Sequence, residues 1–228
     1  MKRTYCRATA FALIALFLLR VSIPSIVADV KVYRSVPTGD KRIALTFDDG
    51  PHPTLTPRIL EILDRYGIKA TFFVVGINAE NYPEALKSVA KKGHEIGNHT
   101  YSHNLLKSIP KEKIEKEISD TEREINKIRE YDLKLLRPPC GFYDERLEKI
   151  AMDKGSKIVL WSIDTLDWSH ASAKNMSRKI LKNAKDGDII LFHDYVSGEY
   201  NTPEALEIII PILLEKGYEF VTVSELLQ

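Results

Sequence analysis

The segment RIALTFDDGP, Arg42 to Pro51, decides how the fold of this chain begins. Its apolar, β-prone first half predicts a strand over Arg42–Phe47, and the Asp-Asp-Gly-Pro that follows is typical of a tight turn. Similar strand patterns recur along the chain, separated by segments with helical spacing. The other predicted strands are Ala70–Val75, His94–Gly97, Leu133–Leu136, Lys157–Ile163, Asp188–Phe192 and Glu219–Val223. Strand and helix thus alternate about seven times, which implies an α/β fold with a parallel sheet.

The predicted helices carry apolar stripes that can cover such a sheet. In the longest one, Ile114, Ile118, Thr121, Ile125 and Ile128 recur every three or four residues on one face. The alternation of strands and amphipathic helices fits both an open doubly wound sheet and a closed barrel. The 228 residues contain no internal repeat and no second domain, so we expect a single domain. There is no Gly-x-Gly-x-x-Gly and no phosphate-binding loop, which argues against nucleotide binding.

The first 28 residues have the layout of a secretory signal. Lys2, Arg3 and Arg7 precede the uncharged apolar run Ala8–Leu19, and small residues lead up to Ala28. The run is shorter than the roughly 20 residues that cross a bilayer. We predict cleavage near residue 28 and a secreted or cell-envelope location, with a retained membrane anchor as the alternative. Residues 29–40 are predicted to be a lead-in segment and residues 41–228 the functional domain.

The charge balance excludes some partners. Four of the 33 basic residues lie in the first 28 residues, which leaves 29 basic and 32 acidic residues and a net charge of −3. Such a chain offers no basic field for nucleic acid, and we expect membrane contact only if the N-terminal segment is retained. Cys6 lies in the predicted signal, so Cys140 alone remains and no internal disulfide can form. We expect a monomer.

Polar side chains follow the predicted strands at the points where they end. Asp48 and Asp49 follow the first strand, His99 and His103 the third, and the stiff loop Arg137–Gly141 the fourth. The later strands are followed by Asp164, Asp167, Trp168 and His193. Because the carboxyl ends of parallel strands share one edge of the sheet, we expect these groups to converge. Taken one at a time, each group also has an ordinary interpretation. The two aspartates fit a tight turn, the two histidines fit a surface turn, and the loop Arg137–Gly141 fits a plain connector.

Three of these groups form a plausible ligand set for a metal ion. His99 and His103 are four residues apart, a common spacing for metal-binding histidines, and Asp49 supplies a carboxylate. One carboxylate and two imidazoles suit a divalent cation such as zinc, with cobalt or nickel as alternatives. Three protein ligands leave a coordination position open for water, which is typical of a catalytic site.

Together, these strand-end residues resemble the motifs of a known family. Five motifs appear in the order that characterises the polysaccharide deacetylases of carbohydrate esterase family 4, which share the NodB homology domain. They are Thr46–Asp49, His99–His103, Arg137–Gly141, Asp164–Trp168 and Leu191–His193. The resemblance runs from about Lys41 to the C-terminus. It implies a distorted (β/α) barrel of seven or eight strands and assigns residues 41–228 as a catalytic domain.

The resemblance also implies roles for the residues around the metal. Asp49, His99 and His103 would bind the cation, and Asp48 would be the general base. Arg137 would orient Asp48 and support its charge.

A second group would act on the substrate. His193 would be the general acid and Asp167 would tune it, while Trp168 and Leu191 would enclose the acetyl methyl group. Many family members have Tyr where Cys140 stands. The backbone N–H at this position stabilises the oxyanion in the family, and a backbone donor survives the change of side chain.

The resemblance implies hydrolytic removal of N-acetyl groups from a polysaccharide. Peptidoglycan is the substrate we favour and chitin-like oligomers come next. Pro139 and Tyr101 are expected to contact the substrate, and Tyr101 could stack on a sugar ring or be an ordinary rim aromatic. The same applies to Phe142, Tyr143 and Tyr195. An esterase for acetylated xylan is the nearest alternative, and a catalytically silent wall-binding protein is a more distant one.

Overall fold

The computed structural model describes residues 32–128, 130–198 and 200–228. In these residues the strands are β1 Val32–Tyr33, β2 Arg42–Asp48, β3 Thr71–Val74, β4 Glu95–Asn98, β5 Leu135–Leu136, β6 Lys157–Val159, β7 Ile163–Asp164, β8 Ile189–His193 and β9 Glu219–Phe220. The helices are α1 Leu55–Arg65, α2 Gly76–Asn81, α3 Pro83–Lys91, α4 Lys111–Asn126, α5 Glu145–Asp153, α6 Ala173–Asn183, α7 Thr202–Glu215 and α8 Val223–Leu226.

All named strands pair in parallel, in the order β1-β6-β5-β4-β3-β2-β8-β7, and β9 adds to the start of β2. Although β6 and β7 lie near opposite ends of this order, only residues 160–162 separate them in the chain. Leu160 N donates to Tyr33 O over 2.7 Å, whereas Ser162 N donates to Ile189 O over 3.0 Å. The chain therefore changes partners at Trp161 and joins both ends of the curled sheet. The predicted single-domain, distorted barrel is confirmed.

Side-chain alternation divides each strand between two cores. On β2, Ile43, Leu45 and Phe47 face the helices, whereas Ala44 packs with the residues inside the barrel. The interior cluster draws one residue from each of several strands, including Phe73, Leu135, Val159 and Ile189. Because side chains in a strand alternate with a period of two, the inward positions after Ala44 are Thr46 and Asp48. The alternation thus directs the last residue of β2 into the open, carboxyl end of the barrel.

The C-terminal segment covers the amino end of the barrel. Val221, Val223 and Leu226 belong to the interior cluster. Val223 N donates to Thr71 Oγ1 over 2.9 Å, and Ser224 N donates to Glu95 Oε2 over 3.1 Å. One end of the barrel is therefore filled by apolar packing, and the other is left for polar side chains.

Several predicted boundaries differ from those observed. The single strand expected over Lys157–Ile163 is two strands, because its hydrogen-bonding partner changes at Trp161. The strand expected over Glu219–Val223 ends at Phe220, since Thr222 caps α8. The lead-in segment contributes β1 to the sheet. The predicted signal lies outside the described residues, and among the helices that are described none has the length and apolarity to cross a membrane.

Candidate active site

A cavity of about 350 Å³ opens at the carboxyl end of the barrel. Its walls combine the ends of β2, β7 and β8 with the loops after β4, β5, β6 and β7. The lining residues are Asp48, Asp49, His99, His103, Cys140, Trp161, Asp164, Trp168, Leu191 and His193. The residues that the sequence singled out at successive strand ends are thus largely brought together.

Asp48 lies at the back of this cavity in a buried ion pair. Its Oδ1 accepts a hydrogen bond of 2.7 Å from Arg137 Nη1, and both side chains are almost fully buried. Its other oxygen, Oδ2, lies 3.6 Å from His99 Nε2. One carboxylate oxygen is therefore fixed by the guanidinium, and the second is directed toward His99.

Arg137 has no exposed surface and is held on several sides. Nη1 also donates to Thr46 Oγ1 over 2.8 Å, and Nε and Nη2 donate to the carbonyls of Val159 and Leu160 over 3.1 and 2.9 Å. Those carbonyls lie where β6 leaves the sheet. Burial lowers the pKa of Arg137 and the Asp48 carboxylate opposes this, so the guanidinium keeps its proton. The planar fork of an arginine satisfies this arrangement, whereas the single ammonium of a lysine could not.

Asp49, His99 and His103 meet beside Asp48, with one ligand atom from each within 4.8 Å of the others. Asp49 Oδ1 lies 3.3 Å from His99 Nε2 and 3.1 Å from His103 Nε2. Yet this buried oxygen has no hydrogen-bond partner. Burial alone would raise the pKa of the Asp49 carboxyl, but the two imidazoles hold it well below its usual range. A charged oxygen without a partner, between two ring nitrogens, is a setting that a cation completes.

The tautomer of His99 supports the same conclusion. Its Nδ1 lies 2.7 Å from Arg137 O, and because a carbonyl only accepts, Nδ1 carries the proton. Nε2 is therefore the ring nitrogen that faces the Asp49 carboxylate and is available to a cation. This backbone contact is the kind of outer partner that fixes metal-binding histidines. The Asp49 carboxylate, against the effect of burial, raises the pKa of His103, so protons compete with a metal for this position. The donor set fits zinc.

His193 and Asp167 form a second charged pair, at the end of β8. His193 Nδ1 lies 2.7 Å from Asp167 Oδ1, and His193 N donates to Oδ2 over 2.7 Å. Trp168 N and Thr202 Oγ1 donate to the same carboxylate over 2.9 Å each. Burial alone would lower the pKa of His193, but the Asp167 carboxylate raises it to about 9. At neutral pH this imidazole is therefore a cation that can give up a proton.

Cys140 lies in a one-turn segment, Pro139–Gly141, with a left-handed φ of 55°. The turn is closed by Gly141 N, which donates to Pro138 O over 2.9 Å. A Cβ on Gly141 would lie 3.0 Å from the Trp161 ring, so the glycine lets this loop pack against the wall of the cavity. Burial raises the pKa of the Cys140 thiol, so the thiol is neutral at pH 7.

The predicted substrate-binding residues are only partly brought together. Trp168, with 54% of its surface exposed, and Leu191, which is buried, both line the cavity. Pro139 is buried and Tyr101 donates from its hydroxyl to Glu80, and neither lies in the cavity wall. The other candidate aromatics lie elsewhere, Phe142 and Tyr143 at a separate groove and Tyr195 against His52.

The sequence pattern did not identify every residue of the site. Thr46 and Thr202 hold Arg137 and Asp167, and Trp161 lines the cavity. Thr46 lies two positions before Asp48 on the inward face, so the period of the strand could have identified it. Thr202 comes from the start of α7, far along the chain, and no local pattern links it to Asp167.

Asp48 and Asp49 also differ from what alternation predicts. Adjacent residues of a strand point to opposite sides, yet both carboxylates line the same cavity. The strand ends at Asp48, and Asp49 has a left-handed φ of 74°, which turns its side chain back toward the barrel.

Comparisons with known proteins agree with this arrangement. A family model described as polysaccharide deacetylase matches residues 35–159. A peptidoglycan-N-acetylglucosamine deacetylase of Bacillus cereus is 43% identical over 195 residues, which are 85% of this chain and 91% of that protein. The peptidoglycan-N-acetylmuramic acid deacetylase PdaC of Bacillus subtilis is 41% identical over 194 residues, 84% of this chain and 40% of that protein.

A solved structure shows the same similarity in three dimensions. It is a peptidoglycan N-acetylglucosamine deacetylase in complex with 4-naphthalen-1-yl-N-oxidanyl-benzamide. The TM-score is 0.83 at 40% sequence identity, over 86% of this chain and 92% of that one.

Proposed function

The chain belongs to the polysaccharide deacetylase family, and on that premise we propose that it hydrolyses the N-acetyl groups of peptidoglycan amino sugars with one divalent cation, zinc, as cofactor. One observation carries the proposal. A carboxylate held by Arg137 and an imidazole held by Asp167 face the same cavity as the Asp49, His99 and His103 cluster.

The chemistry sets two requirements. An acetamide carbonyl is a weak electrophile, and an amine cannot leave as an anion. A divalent cation, when bound by Asp49, His99 and His103, supplies Lewis acidity that polarises the carbonyl and makes water a better nucleophile. The protein must then remove one proton and deliver another.

Asp48 removes the proton from the attacking water. Arg137 fixes Oδ1 of its carboxylate, which leaves Oδ2 directed to the cluster of ligands. The guanidinium also supplies the opposite charge that a buried carboxylate requires. General-base catalysis of this kind contributes about 100- to 10,000-fold to the rate.

His193 delivers a proton to the departing amine. Its ring is protonated at neutral pH because of Asp167, which bonds Nδ1 and leaves Nε2 as the donor. Acid and base are thus needed in opposite protonation states, and the rate should depend on pH with a bell shape.

The remaining wall recognises the acetyl group and the developing oxyanion. Trp168 and Leu191 offer an apolar surface for the methyl group. The backbone N–H of Cys140 would donate to the oxyanion, and one such donor is worth about 3 kcal/mol. Pro139 is buried at the start of this loop, and a role of Tyr101 in stacking requires sugar units beyond the cavity.

The relatives support peptidoglycan as the substrate, since they are peptidoglycan N-acetylglucosamine and N-acetylmuramic acid deacetylases. Such a substrate is outside the cytoplasmic membrane, in agreement with the predicted signal at residues 1–28. We propose a secreted or envelope-bound monomer.

Acetate release from purified glycans tests the proposal. We expect the protein to release acetate from peptidoglycan fragments faster than from chitooligosaccharides, to stop after treatment with a strong chelator, and to recover with zinc. Faster release from acetylated xylan would identify an esterase on this scaffold. No release from any of the three would identify a silent wall-binding protein.

A further inference from the structure

The turn that carries Asp49 is held from two sides. Asp49 has a left-handed φ of 74°, an unfavourable conformation for a residue with a side chain. Asn78 Nδ2 donates to Asp49 O over 2.7 Å, and Val75 N donates to Gly50 O over 2.9 Å. These contacts come from the β3 side. The opposite side must be held by the end of β8.

Asp194, the residue after His193, provides that second side. Its backbone N–H donates to Asp48 O over 3.0 Å. Its Oδ1 accepts from Gly50 N over 3.0 Å, and its Oδ2 accepts from Thr56 Oγ1 over 2.6 Å. One residue thus bonds the backbone immediately before and immediately after Asp49.

The Asp194 carboxylate is closely packed against the turn. Asp194 is 1% exposed. A Cβ on Gly50 would lie 2.1 Å from Asp194 Oδ2, so this contact requires a glycine at position 50. The Thr56 hydroxyl also accepts a 2.7 Å hydrogen bond from His52 N, which ties the carboxylate to the start of α1.

We propose that Asp194 is a positioning residue for the metal ligand Asp49 and, through the same turn, for Asp48; the metal-dependent part of this proposal rests on the proposed function. A carboxylate is buried here although burial is costly, and it accepts two donors without itself touching the cavity. Because Asp194 directly follows His193, it also couples the strand that carries the acid to the turn that carries the base.

Asp188 provides a matched control on the same strand. It is 7% exposed, precedes β8 at the amino end of the barrel, and likewise accepts one hydroxyl and one backbone N–H. The donors are Ser162 Oγ and Lys185 N, each over 2.7 Å. Asp188→Ala and Asp194→Ala therefore each remove one hydroxyl and one backbone N–H hydrogen bond, at opposite ends of β8.

The experiment is zinc titration of the folded proteins, by competition with a chromophoric chelator, below their melting temperatures. We expect Asp194→Ala to weaken zinc binding about 10- to 100-fold, as for other partners that orient metal ligands, and to lower kcat at saturating zinc more than it changes KM. Asp188→Ala should melt earlier but bind zinc within about twofold of wild type. Wild-type zinc affinity in a folded Asp194→Ala variant would overturn the proposal.

Two milder variants apply if Asp194→Ala does not fold. Asp194→Asn keeps an acceptor for Gly50 N and should restore most of the zinc affinity. Thr56→Val removes the hydroxyl that donates to Asp194 and accepts from His52 N, leaves the bond from Gly50 N in place, and should weaken zinc binding a few-fold. Unchanged zinc affinity in Thr56→Val would count against the proposal. Zinc titration needs no substrate, so its result is independent of whether peptidoglycan is deacetylated.

Discussion

The two ends of the barrel place the same residue types in opposite electrostatic settings. At the amino end, burial alone would raise the pKa of Asp186, but four hydrogen bonds from Thr38, Gly39 and Arg42 lower it to about 2. At the carboxyl end, burial and the nearby carboxylates of Asp49 and Asp48 raise the pKa of Asp194 to about 7.

The histidines differ in the same way. His94 lies just before β4 at the amino end, where burial, helped by Lys69, lowers its pKa to about 4. His193 lies at the carboxyl end of β8, where Asp167 raises its pKa to about 9. At the amino end, Asp186 and His94 keep their ordinary charge states at neutral pH. At the carboxyl end, like charges lie close together, and His193 and Asp194 keep their protons to a higher pH than usual. The first arrangement stabilises a fold, whereas the second is typical of catalytic sites, and in our proposal a bound cation offsets its crowded negative charge.

The largest expected effect is at the carboxyl end, in the base and the metal ligands. Asp48→Asn should lower kcat by about 1,000-fold, within the range of general-base catalysis, and should leave zinc binding intact. His99→Ala should lose both. The measurement is acetate release together with zinc content after gel filtration. Near-wild-type acetate release by Asp48→Asn would show that the base is another residue.

A second effect concerns the pH dependence of activity, which should follow the protonation of His193 at the carboxyl end. The acid works only while protonated, so activity should fall at alkaline pH as His193 loses its proton near pH 9. Asp167→Asn removes the charge that holds this proton and should move the alkaline limb down by about two pH units. The pH profile of kcat at saturating zinc measures this. An alkaline limb that stays in place in Asp167→Asn would exclude His193 as the acid.

A third effect concerns the amino end alone. The pKa of Asp186 is lower in the folded chain than the ordinary aspartate value of 3.8, so its stabilising contribution is present above pH 3.8 and is lost as the pH falls through about 2. Asp186→Asn should therefore lower the melting temperature at pH 7 and reduce its dependence on acid, with unchanged acetate release. Thermal unfolding followed between pH 2 and pH 7 is the measurement. A loss of activity in the folded variant would break the distinction between the two ends.

The smallest effect is expected at Cys140. Its side chain is exposed, and the predicted contribution is that of its backbone N–H. Cys140→Ser should therefore change kcat by about twofold at most, the range of a neutral surface substitution. Steady-state kinetics on one purified glycan fragment are sufficient. A large loss would mean that the thiol itself contacts the substrate.

The same contrast explains how much the sequence could predict. Strand and helix alternation and the five motifs predicted the barrel and the residues of the carboxyl end. Both can be read directly from the sequence, because hydrophobic period and motif residues do not depend on knowing which distant segments pair. Thr202 and Asp194 were not assigned, since their partners Asp167 and Gly50 are distant in sequence. The break at Trp161 was also missed, because an apolar run does not reveal a change of hydrogen-bonding partner.

The central claim is that the carboxyl end of the barrel is completed by a cation. Anomalous diffraction at the zinc edge, from crystals of the protein grown with zinc, tests it most directly. We expect one strong peak at about 2.0–2.2 Å from a carboxylate oxygen of Asp49 and the Nε2 atoms of His99 and His103. Well-ordered side chains with no peak between them, or zinc bound only elsewhere on the protein, would contradict it.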